Sequence, residues 1–269
     1  MLLLRSIELR TLIDPPKKFP YTLPFVKSFE HLDFLHEVTF LVGENGCGKS
    51  TLLEILACAV GSITVGSESV RTDKTLAAVR EFSTHVKLSW SKQTRKGFFM
   101  RAEDFFGYAK KLAQIREGLE KDVVDIEDEY KDRSKTAQGL AKMPFMREIG
   151  ALQRDYGDGL DSNSHGESFI KLFQERFIGE GLYLLDEPEA PLSPNRQLSL
   201  LALIKSMVDQ RGQFIIATHS PILLAYPGAT ILSFDGGKIH TEAYEALEHV
   251  ITMKTFLNDP QAYLRHLME

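Results

Sequence analysis

An α/β fold, a sheet of largely buried strands with helices packed on it, is predicted by three features of the sequence. The first is Val38–Thr51, an apolar β-branched run followed by a glycine-rich turn and the start of a helix. The second is a pair of further apolar runs, Leu182–Leu185 and Phe214–Ala217, short and continuous enough for strands covered on both faces. The third is Glu103–Arg133, where Phe105, Tyr108, Leu112, Ile115, Leu119, Val123, Ile126 and Tyr130 recur every three or four positions among dense charge. That spacing gives an amphipathic helix about 45 Å long, set against a sheet core or drawn out as a coiled coil; a packed helical lobe is the expectation.

In chain order, Leu2, Leu4, Ile7 and Leu9 alternate with polar residues and predict a strand, and the short run Phe25–Phe29 predicts another. The turn-rich Asp14–Lys18 joins them, and both are expected beside the strand at 38–42. The turn that follows spells Gly43-x-x-x-x-Gly48-Lys49-Ser50, with Glu44, Asn45, Gly46 and Cys47 between the glycines. Glycines let the backbone curl so that successive N–H groups point at one oxyanion, and the next helix begins with its positive dipole end at the same place. Lys49 adds a point charge for β- and γ-phosphates, the Ser50 hydroxyl suits Mg2+, and Thr51 reaches toward the α-phosphate. Leu52, Leu53, Ile55, Leu56, Ala59 and Val60 then make a helix apolar on more than one face, stopped by Gly61.

Residues 61–84 are rich in Gly, Ser and Thr, with helix expected near 74–82. A hairpin is expected from His85–Ser91 and Gly97–Arg101 around Lys92–Lys96; five basic and no acidic residues between Lys87 and Ala102 read as a solvated tip or as a contact to a phosphate backbone. Beyond the long helix, a break at Ser134–Pro144 and a second helix near Phe145–Arg154 complete the lobe.

Leu182–Leu185 ends in Asp186 and Glu187. After a phosphate loop, this pair reads as a metal-side acid followed by a base that orients or deprotonates the attacking water. Phe214–Ala217 ends in Thr218-His219-Ser220-Pro221, at the strand edge where ligands sit in open α/β sheets, so His219 is a candidate γ-phosphate contact. The C-terminal stretch, with Phe256-Leu257-Asn258-Asp259-Pro260 and Tyr263–Leu267, predicts two short amphipathic helices for packing or partner docking.

Composition bounds the rest. The 269 residues are 43% hydrophobic without an apolar run long enough to cross a bilayer, and Arg5 follows Met-Leu-Leu-Leu at once, so no membrane insertion and no signal peptide are expected and the cytoplasm is the expected compartment. The two cysteines, Cys47 and Cys58, make no disulfide framework. A net charge of −5 does not indicate a broad nucleic-acid face, although a local patch stays open.

The motifs taken together resemble the ATP-binding-cassette superfamily of ATPases, which places four of them in this order. Gly43–Ser50 matches its Walker A loop, Leu182–Glu187 its Walker B, Asp186–Ser193 its D-loop with Ser193 where transporters commonly have Asp, and His219 its switch histidine. The family's signature begins a helix shortly before Walker B. Asn163-Ser164-His165-Gly166-Glu167 lies there, keeping the Ser and second Gly but not the first Gly or the Gln; Ser164 and Glu167 also form a capping box. The Q-loop glutamine is absent from Phe98–Glu103, leaving Arg101 or Glu103 in its place. The resemblance spans roughly residues 1–243, and Asp-Glu-Pro-Glu with Leu-Ser-Pro is similar to soluble ATPases related to recombination-repair heads and the overcoming-lysogenization-defect family.

The resemblance implies a P-loop NTPase of ATP-binding-cassette type with a mixed sheet. Its core would comprise 1–102 and 156–243, its inserted helical lobe 103–155 and a C-terminal segment 244–269. It further implies ATP and Mg2+ as ligands, and a homodimer in which Gly43–Thr51 of one subunit and Ser164, Gly166 and Glu167 of the other hold each ATP. Lys49, Glu187 and His219 would carry hydrolysis, Ser50 and Asp186 the metal, and a protein effector the resulting motion. The competing readings are a transporter's nucleotide-binding subunit and a nucleotide-gated scaffold for a nuclease or toxin.

Overall fold

A computed structural model describes residues 2–10, 14–66, 68–156 and 165–268. The chain runs through β1 (Leu4–Leu9), α1 (Pro24–Ser28), β2 (His31–Asp33), β3 (Val38–Val42), α2 (Lys49–Val60), α3 (Ala77–Ser83), β4 (Val86–Trp90) and β5 (Gly97–Arg101). It continues with α4 (Ala102–Glu129), α5 (Lys135–Tyr156), α6 (His165–Arg176), β6 (Leu182–Asp186), α7 (Pro194–Asp209), β7 (Gln213–Ala217) and α8 (Pro221–Leu224). Strands β8 (Thr230–Ser233) and β9 (His240–Thr241) and helices α9 (Glu248–Asn258) and α10 (Pro260–Met268) follow.

Six strands form one sheet in the order β5-β6-β7-β3-β8-β9, parallel from β5 to β8 with β9 antiparallel at the edge. Every residue of β3, β6 and β7 is buried, as expected of strands covered on both faces. Successive side chains divide between two cores. Leu41, Leu184 and Ile215 face α2, where Leu52, Leu53 and Leu56 pack; Phe40, Leu185 and Ile216 face α6 and α7, where Phe169, Phe173, Leu200 and Ile204 pack. The three carboxyl ends of β3, β6 and β7 therefore open on one edge of the sheet.

Four local expectations are corrected. Strand β1 does not lie beside β3 but centres a separate antiparallel sheet, β2-β1-β4, because alternation identifies a half-buried strand without naming its partner. The buried amide of Gln213 joins the two sheets: its Oε1 accepts the N–H groups of Leu3 (3.0 Å) and Leu4 (2.8 Å), and its Nε2 donates to Leu4 O (2.9 Å). The run at 25–29 is helical in α1, which has Pro24 in its first turn, where a proline's missing N–H costs no helical bond.

The segments at 85–101 are no hairpin: β4 pairs with β1, whereas β5 pairs in parallel with β6. Gly97, at φ +106°, starts β5 so close to β6 that a Cβ would lie 1.9 Å from Leu182 O. The connection between them is largely neutralised. Glu180 receives Lys92 at 2.7 Å and Lys96 at 4.0 Å, Lys87 pairs with Glu8 at 3.1 Å, and Arg101 pairs with carboxylates described below. Last, the helical break is confined to the residues between Glu129 and Lys135, and Pro144 sits inside α5, where a proline removes one ladder bond without ending a helix packed along α4. Among the described residues, no helix is long and apolar enough to cross a membrane.

Candidate nucleotide-binding site

The glycine-rich turn after β3 takes the shape its residues permit. Gly43, Gly46 and Gly48 have φ of +138°, +82° and +108°, the left-handed region open mainly to glycine. A Cβ on Gly48 would stand 2.5 Å from the Phe25 ring, so α1 is the floor beneath the turn; a Cβ on Gly46 would meet nothing within 4 Å. The mouth of the cradle is thus open above a packed base. The turn ends where α2 begins, at Lys49 and Ser50, and Thr51 is buried one residue on. Glu44 and Asn45 are exposed and Cys47 is half-buried.

Lys49 is 5% exposed, and its Nζ donates to the carbonyls of Gly43 (2.6 Å) and Glu44 (3.0 Å). An ammonium held by two neutral carbonyls is poised for exchange onto phosphoryl oxygens, which carry charge. Ser50 donates from Oγ to Asp186 Oδ1 at 3.1 Å, across 136 positions of sequence. Burial pushes the Asp186 carboxyl up to about 6, with the Ser50 hydrogen bond working against it. Hydroxyl and carboxylate together supply two hard oxygens, a donor set that fits Mg2+ completed by phosphates and water. Among the described residues, no group of three or more His, Cys, Asp or Glu side chains forms an all-protein metal cage.

Glu187 leaves the strand line. At φ +48° its backbone is in the left-handed region, unusual for a residue with a side chain, while its N–H donates to Ala217 O at 2.9 Å. Two residues on, the half-buried Glu189 accepts the backbone N–H of His219 at its Oε1, 2.8 Å away. Burial holds the His219 ring below the ordinary histidine range, and the nearby Lys49 charge adds to the effect.

Gly43–Thr51, Asp186, Glu187 and His219, the candidates the sequence offers, all stand at the carboxyl edge of the sheet. Two residues beside them carry no such mark in the sequence. Glu189 anchors His219, and Asp235, after β8, accepts the Glu44 N–H at Oδ1 (3.1 Å) and so fixes the outer arm of the turn. Only the acid-rich Asp-Glu-Pro-Glu run hinted at the first, and nothing local marks the second. Ser164 lies outside the described residues, while Gly166 and Glu167 fall in the first turn of α6.

A family model described as an AAA domain matches residues 23–179, more than half of the chain. The chain belongs to the AAA-domain family. A second AAA-domain model, one extending to a candidate AbiEii toxin of type IV toxin–antitoxin systems, matches residues 164–225. An uncharacterized ABC transporter ATP-binding protein of Methanocaldococcus jannaschii is 27% identical over 207 residues, 76% of this chain and 35% of that protein. The macrolide export ATP-binding/permease protein MacB of Photorhabdus laumondii is 21% identical over 238 residues, 86% of this chain and 33% of that protein. The chain thus spans about a third of the length of these relatives. A solved Smc head domain from Pyrococcus furiosus, bound to the C-terminal domain of ScpA, is 12% identical with a TM-score of 0.48, covering 97% of this chain and 100% of that one.

The phosphate loop and the Asp186–Ser50 pair of this AAA-domain protein fit a nucleoside triphosphate with Mg2+. The chain's departure at the Q-loop has a structural counterpart. Arg101, at the end of β5 and in register with Asp186, pairs with Asp104 (2.9 Å), Asp73 (3.3 Å), Glu54 (3.4 Å) and Glu103 (3.6 Å). Glu103 itself is 76% exposed. Of the two candidates for the absent glutamine, Arg101 is taken up by carboxylates and Glu103 stands largely in solvent.

Proposed function

We propose that this AAA-domain protein is an ATPase of ATP-binding-cassette type that binds Mg2+-ATP at the carboxyl edge of its sheet, closes into a head-to-tail homodimer over two nucleotides, and reopens on hydrolysis to switch a protein partner, as in DNA repair or phage defence. The observation that carries the reading is the 3.1 Å contact between Ser50 and Asp186, which unites the hydroxyl of the phosphate loop with the acid of the distant strand at one metal-sized spot.

The backbone N–H groups of 43–51 and the first turn of α2 hold the phosphates. Lys49 leaves the carbonyls of Gly43 and Glu44 for the β- and γ-phosphate oxygens. Ser50 and Asp186 would hold Mg2+, which would supply positive charge to offset that developing on the transferred phosphoryl group. Glu187 accepts the proton of the attacking water, and His219 faces the terminal phosphoryl group. From the neighbouring copy, Ser164, Gly166 and Glu167 bring a helix N-terminus to that group. Contacts of this kind exist only in the closed pair, which is the differential affinity a nucleotide-driven switch requires.

Glu187→Gln removes the base and spares the cradle and the metal oxygens. In ATP and Mg2+, this variant is expected to accumulate as a dimer on size-exclusion chromatography with light scattering, and a variant that stays monomeric at saturating ATP contradicts the switch. The names of the curated relatives favour a second reading, a nucleotide-binding subunit of a transporter, in which a separate membrane protein would co-purify with the chain.

A further inference from the structure

Helix α9 brings a residue to the nucleotide edge that neither the motifs nor the mechanism above uses. Leu247 and Val250, 3% and 5% exposed, anchor the start of α9 in the core beneath α8, and the register between them sets His249 beside His219. The two imidazole rings are 6.4 Å apart, centre to centre, at 69°. The Nε2 atoms of both rings are buried, and neither has a hydrogen-bonding partner. Leaving a buried polar nitrogen unpaired is unfavourable, and here two such atoms occur on neighbouring rings.

Both histidines line a single cleft of about 1160 Å3 together with Gly43 and Glu44 of the phosphate loop and Asp235. Burial holds the His249 ring below the usual histidine range, with Lys49 adding to this and Asp235 and Glu242 opposing it. A neutral imidazole next to a buried ammonium can donate an N–H without placing a second cation there. The acceptors that the phosphate loop would bring to this cleft are the oxygens of a terminal phosphoryl group.

We propose that His249, carried on the chain's own C-terminal helix, is a second imidazole donor to the terminal phosphoryl group beside His219, and that through it α9 distinguishes a nucleoside triphosphate from a diphosphate. The proposal rests on the Mg2+-ATP reading of the site. It makes the C-terminal segment part of the pocket, so the position of α9 registers the state of the nucleotide.

The test is equilibrium binding of the β,γ-imido analogue of ATP and of ADP, each with Mg2+, to the full chain and its variants. His249→Ala is expected to weaken the triphosphate analogue about tenfold, the value of one hydrogen bond to a charged acceptor, while ADP affinity stays within twofold. His249→Gln, which keeps an N–H donor, is expected to recover part of the loss. Unchanged affinity for both nucleotides in His249→Ala overturns the proposal, and so does an equal loss for both with no recovery in His249→Gln, which is the signature of a packing role. Lys49→Ala separates the two levels: it should weaken both nucleotides, and if it weakens neither, the site assignment itself fails.

Discussion

Glu189 shows how a single side chain sets the geometry of the site without belonging to a signature. Its Oε1 receives the His219 backbone N–H at 2.8 Å and ties the end of β7 to the turn after β6, so the imidazole is placed by an acid thirty positions upstream. Glu189→Ala releases that tether. Steady-state hydrolysis is expected to fall about tenfold, the equivalent of one hydrogen bond from a buried group to a charged acceptor, with ATP affinity near that of the unaltered chain. Glu189→Gln retains a carbonyl acceptor and should recover most of the rate; a Glu189→Ala protein with full kcat would remove the positioning role. Lys49, Ser50 and Asp186 were legible from the sequence because their chemistry is written in local spacing. Glu189 and Asp235 were not, because each acts on a backbone amide brought near only by the sheet.

Between elements, the site is joined to the helical pair α4 and α5 by the Arg101 cluster. Arg101 ends β5, Asp104 opens α4, Asp73 precedes α3, and Glu54 lies on α2 one turn beyond the phosphate loop. Burial pushes the Glu54 carboxyl up to about 7 even though Arg101 opposes it. A raised carboxylate means that the folded chain holds a proton that the unfolded chain has already released. The stabilisation is therefore complete below the ordinary value of 4.5 and is lost as pH rises through about 7. Glu54→Gln should remove that dependence, flattening urea-unfolding stability between pH 4.5 and 7 and raising it at pH 8 by on the order of 2–3 kcal/mol. An unaltered pH profile in the variant would show that Glu54 titrates alike in the folded and unfolded chain and would contradict the raised carboxyl. Strands β3, β6 and β7 could be read in advance because a continuous apolar run flanked by turns leaves few alternatives. The partners of β1, β4 and β5 could not, since alternation specifies a face and a period but not a neighbour, and the sharp change of sheet at Gly97 depends on a close approach to Leu182. Pro144 misled for a similar reason: its local effect is to break a helix, and packing along α4 overrides it.

At the scale of the molecule, the parallel sheet gathers the phosphate loop, Asp186, Glu187 and His219 on one edge because a parallel strand order points all carboxyl ends the same way. That edge is also where α9 sets His249, so core and C-terminal segment share one cleft. In the proposed head-to-tail pair, one copy is catalytically incomplete and a second supplies Ser164, Gly166 and Glu167 over the nucleotide. The most direct measurement is the ATPase rate per subunit as a function of protein concentration at saturating Mg2+-ATP. A composite pocket predicts that this rate climbs with concentration, approaching first order in protein under dilute conditions, and levels off once dimers dominate. A rate per subunit that is constant across the range, in protein shown by light scattering to remain monomeric throughout, would contradict it.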